Sequence, residues 1–111
     1  MEVDETLRVG GYDVHPVSSG EEALAALEND QLQLAGLVTD IRLGDGVPGW
    51  DVARRARELR PHFPVVYMTG DSAENHTVQG VPESILLQKP FAPAQLVTAI
   101  SALLNKLPPE A

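Results

Sequence analysis

Three short apolar runs stand out in the pattern of hydrophobic and polar positions. They cover residues 34–39, 65–68 and 84–88, and each is bounded by Gly, Pro or Asp. Runs of this length and composition predict strands of a parallel sheet that are buried on both faces. A weaker run over residues 12–17 predicts a further strand, at an edge or ending at Pro16, because proline cannot donate a ladder hydrogen bond.

Three segments between and after these runs have the three- and four-residue spacing of amphipathic helices. The first begins at Ser19, which together with Glu22 forms the pattern of a capping box. The second covers residues 50–60, and the third runs to Pro108-Pro109, which stop it. The apolar stripe of the second helix consists of Val52, Ala53, Ala56 and Leu59. Residues 72–83 lack such a stripe and predict a short turn or an irregular loop. Strands that alternate with helices predict an α/β fold.

Each of the three strong strand predictions is followed by a residue with useful chemistry. Asp40 follows the first, Thr69 the second and Lys89 the third. Because the carboxyl ends of parallel strands meet at one edge of a sheet, we expect these side chains in one crevice. A phosphoryl group on Asp40 could use Thr69 as a hydrogen-bond donor and Lys89 as a counter-charge. Singly, each residue is common in turns or on surfaces, so the ordered trio is what predicts a site.

The chain resembles the receiver (response regulator) domain of bacterial two-component signalling, and is most similar to the receivers of hybrid sensor histidine kinases. The motifs are Thr39-Asp40-Ile41-Arg42-Leu43, Gly49-Trp50-Asp51-Val52-Ala53 and Leu87-Gln88-Lys89-Pro90-Phe91. The resemblance extends from about residue 10 to residue 104. It implies a flavodoxin-like parallel sheet flanked by helices, in a single receiver domain over residues 1–111 that is truncated at its N-terminus.

The resemblance also implies roles for individual residues. Asp40 is expected to be the phospho-acceptor, with a histidine kinase or a His phosphotransfer protein as the phosphoryl donor. Thr69 is then the switch hydroxyl and Lys89 the phosphate-binding lysine, joined to Pro90 by a cis bond. Asp40 and the backbone carbonyl of Arg42 would bind Mg²⁺, which screens the carboxylate from the incoming phosphoryl group. The implied function is phosphorelay signalling in the cytoplasm, not enzymatic turnover.

The start of the chain departs from the family pattern. Receivers begin with an apolar strand that ends in an acidic pair holding Mg²⁺, but only three residues precede Asp4 and Glu5 here. In one alignment, residues 1–9 are the tail of the first helix, and the first strand, most of that helix and the acidic pair are absent. In the other, Asp4 and Glu5 are the pair and most of the first helix is deleted. The first is favoured, because Val3 and Leu7 have helical spacing and a three-residue strand would bury almost nothing.

Leu86 is a second departure, because receivers usually have Tyr or Phe at this position. That ring turns inward when the hydroxyl of the residue equivalent to Thr69 meets the phosphoryl group. Leucine has no hydroxyl and a smaller shape, so we expect weaker switching. Without a first strand, either residues 12–17 pair with residues 34–39, or the chain associates with a second copy. The open strand edge and the apolar stripe of the last helix favour a homodimer.

Composition narrows the remaining classes. The chain has 111 residues, 43% of them hydrophobic, and no cysteine, which predicts one domain without disulfides. The net charge of −8 argues against nucleic-acid binding, and the apolar runs are shorter than a membrane span. Two alternatives stay open. One is a degenerate receiver that binds a partner through its last helix without phosphorylation. The other is a Mg²⁺-dependent phosphohydrolase, although this sequence shows no second acidic cluster for such an enzyme.

Overall fold

The computed structural model describes residues 2–41, 46–70 and 80–106. Its helices are α1 (Val3–Val9), α2 (Gly20–Leu27), α3 (Gly49–Leu59) and α4 (Pro93–Asn105), and its strands are β1 (Leu37–Asp40), β2 (Val65–Thr69) and β3 (Ile85–Gln88). The three strands form one parallel sheet in the order β1-β2-β3. The predicted α/β class and parallel sheet are confirmed.

Strand β2 lies at the centre of the sheet, and all five of its residues are buried. Because successive side chains of a strand point to opposite faces, β2 contributes to two apolar clusters. Tyr67 packs with Trp50 of α3 in one cluster, which we call the α3-side core. Val66 packs with Leu96 of α4 and with Leu7 of α1 in the other, the α4-side core. The sheet therefore has a helical layer on each face.

The helix boundaries follow local signals, with two differences from the predicted pattern. Ser19 caps α2 by accepting the Glu22 N–H at 3.1 Å, whereas the Glu22 carboxylate accepts a hydrogen bond from Ser18 Oγ at 2.5 Å. The capping interaction from Ser19 is thus confirmed, but the Glu22 carboxylate bonds the side chain of Ser18. In α3, Val52 is fully buried, while Leu59, the last helical residue, is 42% exposed. The predicted stripe was one residue too long.

Residues 12–17 do not form the predicted strand. In the described ranges β1 is an edge strand of the sheet, and no strand lies alongside residues 12–17. Side chains hold the segment instead: Tyr12 and Val14 pack on the α4-side core, and the Tyr12 hydroxyl lies 2.5 Å from Ser101 Oγ. The prediction was wrong because alternating apolar residues fix a buried face, but a strand also needs a neighbour for its backbone. Closure of the sheet by pairing this segment with β1 is not found either.

The structure decides between the two alignments of the N-terminal residues. Residues 3–9 are helical, Leu7 is buried and Val3 packs on the α4-side core. Asp4 and Glu5 lie in the first turn of this helix, and Asp4 pairs with Arg8 at 3.1 Å. The helix-tail alignment is confirmed, and the alignment that placed the acidic pair at the end of a strand is wrong. The expected irregular stretch over residues 72–83 falls largely outside the described residues.

None of the helices in the described ranges is both long enough and apolar enough to cross a membrane.

Candidate functional site

Asp40 and Lys89 meet at the carboxyl edge of the sheet. Asp40 is the last residue of β1, and Lys89 directly follows β3. The Lys89 ammonium donates a hydrogen bond of 2.7 Å to Asp40 Oδ1. The side chains of Lys89 and Asp40 are 47% and 40% exposed, so another molecule can approach the pair from solvent. The predicted contact between these two residues is confirmed.

Thr69 ends β2, the strand that separates Asp40 from Lys89. Its Cα partner on β3 is Gln88, and its carbonyl accepts the Lys89 N–H at 2.7 Å. The residue is 6% exposed and is therefore buried. The bond between Lys89 and Pro90 is cis, as the family resemblance implied. The three residues of the predicted trio therefore lie on successive strand ends.

A close backbone contact joins Asp40 to the start of α3. The Ile41 N–H donates to the Met68 carbonyl at 3.1 Å, which extends the pairing with β2 by one residue. The Ile41 carbonyl accepts the Gly49 N–H at 2.7 Å. A Cβ added at Gly49 would lie 2.2 Å from the Asp40 carbonyl oxygen, a separation that requires glycine here. The backbone of Asp40 is thereby fixed on the side of α3.

Tyr67 is a buried polar residue beneath the site that the sequence pattern did not single out. Its ring lies 4.6 Å from that of Trp50, at an interplanar angle of 57°, and its hydroxyl accepts the Val81 N–H at 3.1 Å. Burial raises the pKa of Tyr67. Leu86, which the family resemblance predicts at the switch position, is its Cα partner on β3 and packs on the same core. The sequence signal that could have identified it is a tyrosine within an aliphatic strand, because a buried tyrosine hydroxyl needs a hydrogen-bond partner.

Arg57 is a second residue that the sequence pattern did not single out. It lies outside the apolar stripe of α3, but its Nε donates to the Phe63 carbonyl at 2.6 Å and its Nη1 to the Pro82 carbonyl at 2.5 Å. Burial lowers the pKa of the Arg57 guanidinium. The side chain thus ties α3 to the segments that precede β2 and β3.

The described residues do not fit a Mg²⁺ site by themselves. Mg²⁺ requires near-octahedral oxygen coordination, and the described ranges contain no group of three or more His, Asp or Glu residues placed to hold a metal. Asp40 is the predicted ligand that these ranges place at the sheet edge, whereas Asp4 and Glu5 lie on α1. The predicted carbonyl ligand, that of Arg42, lies outside the described residues.

Comparison with known proteins gives consistent matches. The family model for the response regulator receiver domain matches residues 1–101. The chain is 46% identical to a solved response regulator receiver protein from Sinorhizobium medicae WSM419, with a TM-score of 0.90, and the alignment covers 94% of this chain and 83% of that one. A receiver domain protein from Methanospirillum hungatei JF-1 is 29% identical, with a TM-score of 0.76 and coverages of 94% and 82%.

A curated relative matches over part of its length. The response regulator SaeR of Staphylococcus aureus is 30% identical over 99 residues, which are 87% of this chain and 42% of the relative. The chain therefore spans less than half of the length of the curated relatives that it matches.

Proposed function

Because this chain belongs to the response regulator receiver domain family, we propose that it serves phosphorelay signalling with Asp40 as the phospho-acceptor. The observation that supports this role is the contact between Asp40 and Lys89 at a solvent-exposed edge of the sheet. A carboxylate nucleophile and a cation for the phosphoryl oxygens are two of the groups that the reaction needs from the protein. The phosphoryl donor is a histidine kinase or a His phosphotransfer protein.

The proposed transfer balances as a displacement at phosphorus. A carboxylate oxygen of Asp40 forms the new P–O bond while the P–N bond of the donor phosphohistidine breaks. The electron pair of the broken bond stays on the ring nitrogen, and because the other ring nitrogen carries a proton, the imidazole leaves as a neutral ring. The product acyl phosphate carries more negative charge than the carboxylate that it replaces. Lys89 would move its hydrogen bond from the carboxylate to a phosphoryl oxygen, since that is where the charge has gone. The Thr69 hydroxyl would donate to another phosphoryl oxygen.

A second candidate function is a phosphorylation-independent interaction module. It is favoured by the placement of Asp4 and Glu5 on α1, because these two residues then do not form the acidic pair that the family resemblance implies at the sheet edge. Leu86 also lacks the hydroxyl and the ring of the usual switch residue. If the chain binds partners equally well before and after phosphorylation of Asp40, this second function applies.

The test of the proposed function is modification of Asp40 by acetyl phosphate at saturating Mg²⁺, followed by intact-mass spectrometry. We expect one phosphoryl group on the wild-type chain and none on Asp40→Asn. Asp51→Asn is the matched control, because Asp51 lies on the exposed surface of α3 and pairs with Arg54. The same extent of modification in wild type and Asp40→Asn, or none in either, would overturn the proposal.

The single tryptophan gives a second measurement on the same variants. Trp50 directly follows Gly49, which contacts the Asp40 carbonyl, and packs on Tyr67. Binding of beryllofluoride, a phosphoryl mimic, to Asp40 should therefore change Trp50 fluorescence in wild type and leave it unchanged in Asp40→Asn.

A further inference from the structure

The first turn of α2 lies directly against the chain that leads from the Asp40 strand into α3. The Val47 N–H donates to the Glu21 carboxylate at 2.8 Å. A Cβ added at Gly20 would lie 2.2 Å from the Val47 carbonyl oxygen, and one added at Gly46 would lie 2.4 Å from Glu21 Oε1. Three contacts of different kinds thus join residues 20–21 to residues 46–47. The fit excludes a side chain at Gly20, which faces the Val47 backbone, whereas a side chain at Gly46 would displace the Glu21 carboxylate.

The same segment is fixed to β1 at its other end. Gly49 donates its N–H to the Ile41 carbonyl at 2.7 Å, and its Cα lies against the Asp40 carbonyl. Residues 46–49 are consequently held from two sides, by Glu21 of α2 and by the backbone at Asp40. Only Pro48 and Gly49 separate Val47 from the contact with Asp40. A shift at Val47 would therefore be transmitted to Asp40.

We propose that Glu21 is a positioning residue for Asp40. By accepting the Val47 N–H, its carboxylate holds residues 46–49 against α2, and Gly49 then fixes the backbone of Asp40. This role extends the proposed function, since it identifies a residue 19 positions before the acceptor that sets the acceptor's geometry. The neighbouring Glu22 gives the contrast, because its described hydrogen bond goes to Ser18 beside α2 and not to the Asp40 segment.

The proposed role requires an acceptor oxygen at position 21 and does not require a negative charge. Glutamine at position 21 retains a carbonyl oxygen at the same distance from the backbone, so it can still accept the Val47 N–H. Alanine retains the helix but loses the acceptor. A residue that acted through its charge, for example on a cation, would lose its effect in both variants.

Amide hydrogen exchange in the unphosphorylated protein tests the positioning directly. In Glu21→Ala we expect exchange at Val47 and Gly49 to rise by about three- to tenfold, the range that corresponds to one net hydrogen bond. Glu21→Gln should retain wild-type exchange at both amides, and Glu22→Ala should leave them unchanged. Unchanged Gly49 exchange in Glu21→Ala, or an equal rise in Glu22→Ala, would overturn the proposal.

Beryllofluoride affinity, followed by Trp50 fluorescence, tests the consequence for Asp40. We expect Glu21→Ala to weaken the apparent affinity by about the same factor, with recovery in Glu21→Gln. Glu22→Ala loses a different exposed hydrogen bond and should retain the wild-type affinity. A merely structural role for these helix carboxylates would weaken the affinity equally in Glu21→Ala and Glu22→Ala. If wild type itself does not respond, the proposed function of Asp40 fails, and the exchange rates still decide whether Glu21 positions the segment.

Discussion

Lys89 Nζ lies 2.7 Å from Asp40 Oδ1 and joins two residues that are 49 positions apart in the chain. Both side chains remain more than a third exposed, so water screens the pair and limits its effect on folding. The pair therefore stabilises the fold little. Binding of an anion by the Lys89 ammonium is the role that its position suits better. This difference between stability and function can be measured.

Replacing Lys89 should leave the fold nearly unchanged while impairing the site. For Lys89→Met we expect the free energy of unfolding to change by less than about 1 kcal/mol, as for other exposed ion pairs. Binding of beryllofluoride should be lost in the same variant, because the counter-charge for its negative fluorines is gone. Urea unfolding and Trp50 fluorescence provide the two measurements. Arg55→Met, which removes the exposed pair with Glu28, is the control and should retain binding.

Phosphorylation of this chain should require a high Mg²⁺ concentration. In the described ranges, few other oxygen atoms that could bind Mg²⁺ lie near Asp40. Mg²⁺ binds weakly where most of its coordination must come from water. A Mg²⁺ titration of acetyl phosphate labelling, read by mass spectrometry, should reach its midpoint only in the millimolar range or above. Efficient labelling of Asp40 at micromolar Mg²⁺ would show that further ligands surround it, and would contradict this expectation.

Gly49→Ala should destabilise the protein even though alanine favours helices. The added methyl group would lie 2.2 Å from the Asp40 carbonyl oxygen, which is a backbone atom and cannot move aside as a flexible side chain could. We expect a loss of about 1–3 kcal/mol in the free energy of unfolding, the usual effect of overpacking. Gly70→Ala is the matched control, because nothing lies within 4 Å of its added Cβ. Equal urea midpoints for the two variants would refute the close contact.

Tyr67→Phe should lower stability and change its dependence on alkaline pH. Without the hydroxyl, the Val81 N–H loses a buried acceptor, which costs about 1–3 kcal/mol. Burial raises the pKa of Tyr67 above its ordinary value of 10.0, so the folded state holds the phenolic proton more tightly than the unfolded state. The resulting stabilisation is complete below that ordinary value and is lost as the pH rises through the pKa of the folded protein.

Urea unfolding between neutral and strongly alkaline pH measures this effect. Wild type should lose more stability than Tyr67→Phe as the pH rises above about 10. Tyr12→Phe, which loses a part-buried hydroxyl contact with Ser101, is the control and should retain the alkaline loss. Parallel pH profiles for wild type and Tyr67→Phe would count against burial of an un-ionised phenol.

The outer edge of β1 should mediate association. The N–H groups of Leu37 and Ile41 point to β2, so by strand alternation those of Val38 and Asp40 point away from it. β1 has no second neighbouring strand in the described ranges, and open strand edges promote pairing between chains. Light scattering over a concentration series should therefore detect a dimer.

A proline at the outward position tests this edge. Val38→Pro removes an N–H that β2 does not use, so the variant should fold and remain monomeric. Leu37→Pro removes the N–H that donates to the Pro64 carbonyl, and it should unfold the sheet. A wild-type monomer at high concentration, with a sharp melting transition, would show that the edge does not associate.

Much of the local structure could be predicted from the sequence alone. The apolar runs that became β1, β2 and β3, and the periodicity of α3 and α4, are properties of neighbouring residues, and each element formed within a few residues of its predicted place. The proximity of Asp40 to Lys89 was also predictable. Parallel strands bring their carboxyl ends to one edge whatever the intervening segments contain.

Only the tertiary structure decided the features that depend on distant partners. Residues 12–17 have a strand-like pattern, yet backbone pairing needs a second strand alongside, and the described sheet does not place one there. In the sequence, Glu21 resembles any acidic residue in the first turn of a helix. Its hydrogen bond with the Val47 N–H forms only because α2 packs against that residue. The hydroxyl of Tyr67 found its donor in Val81, 14 positions away. Periodicity determines which face of an element is buried, whereas hydrogen bonds between elements depend on where the whole chain brings them together.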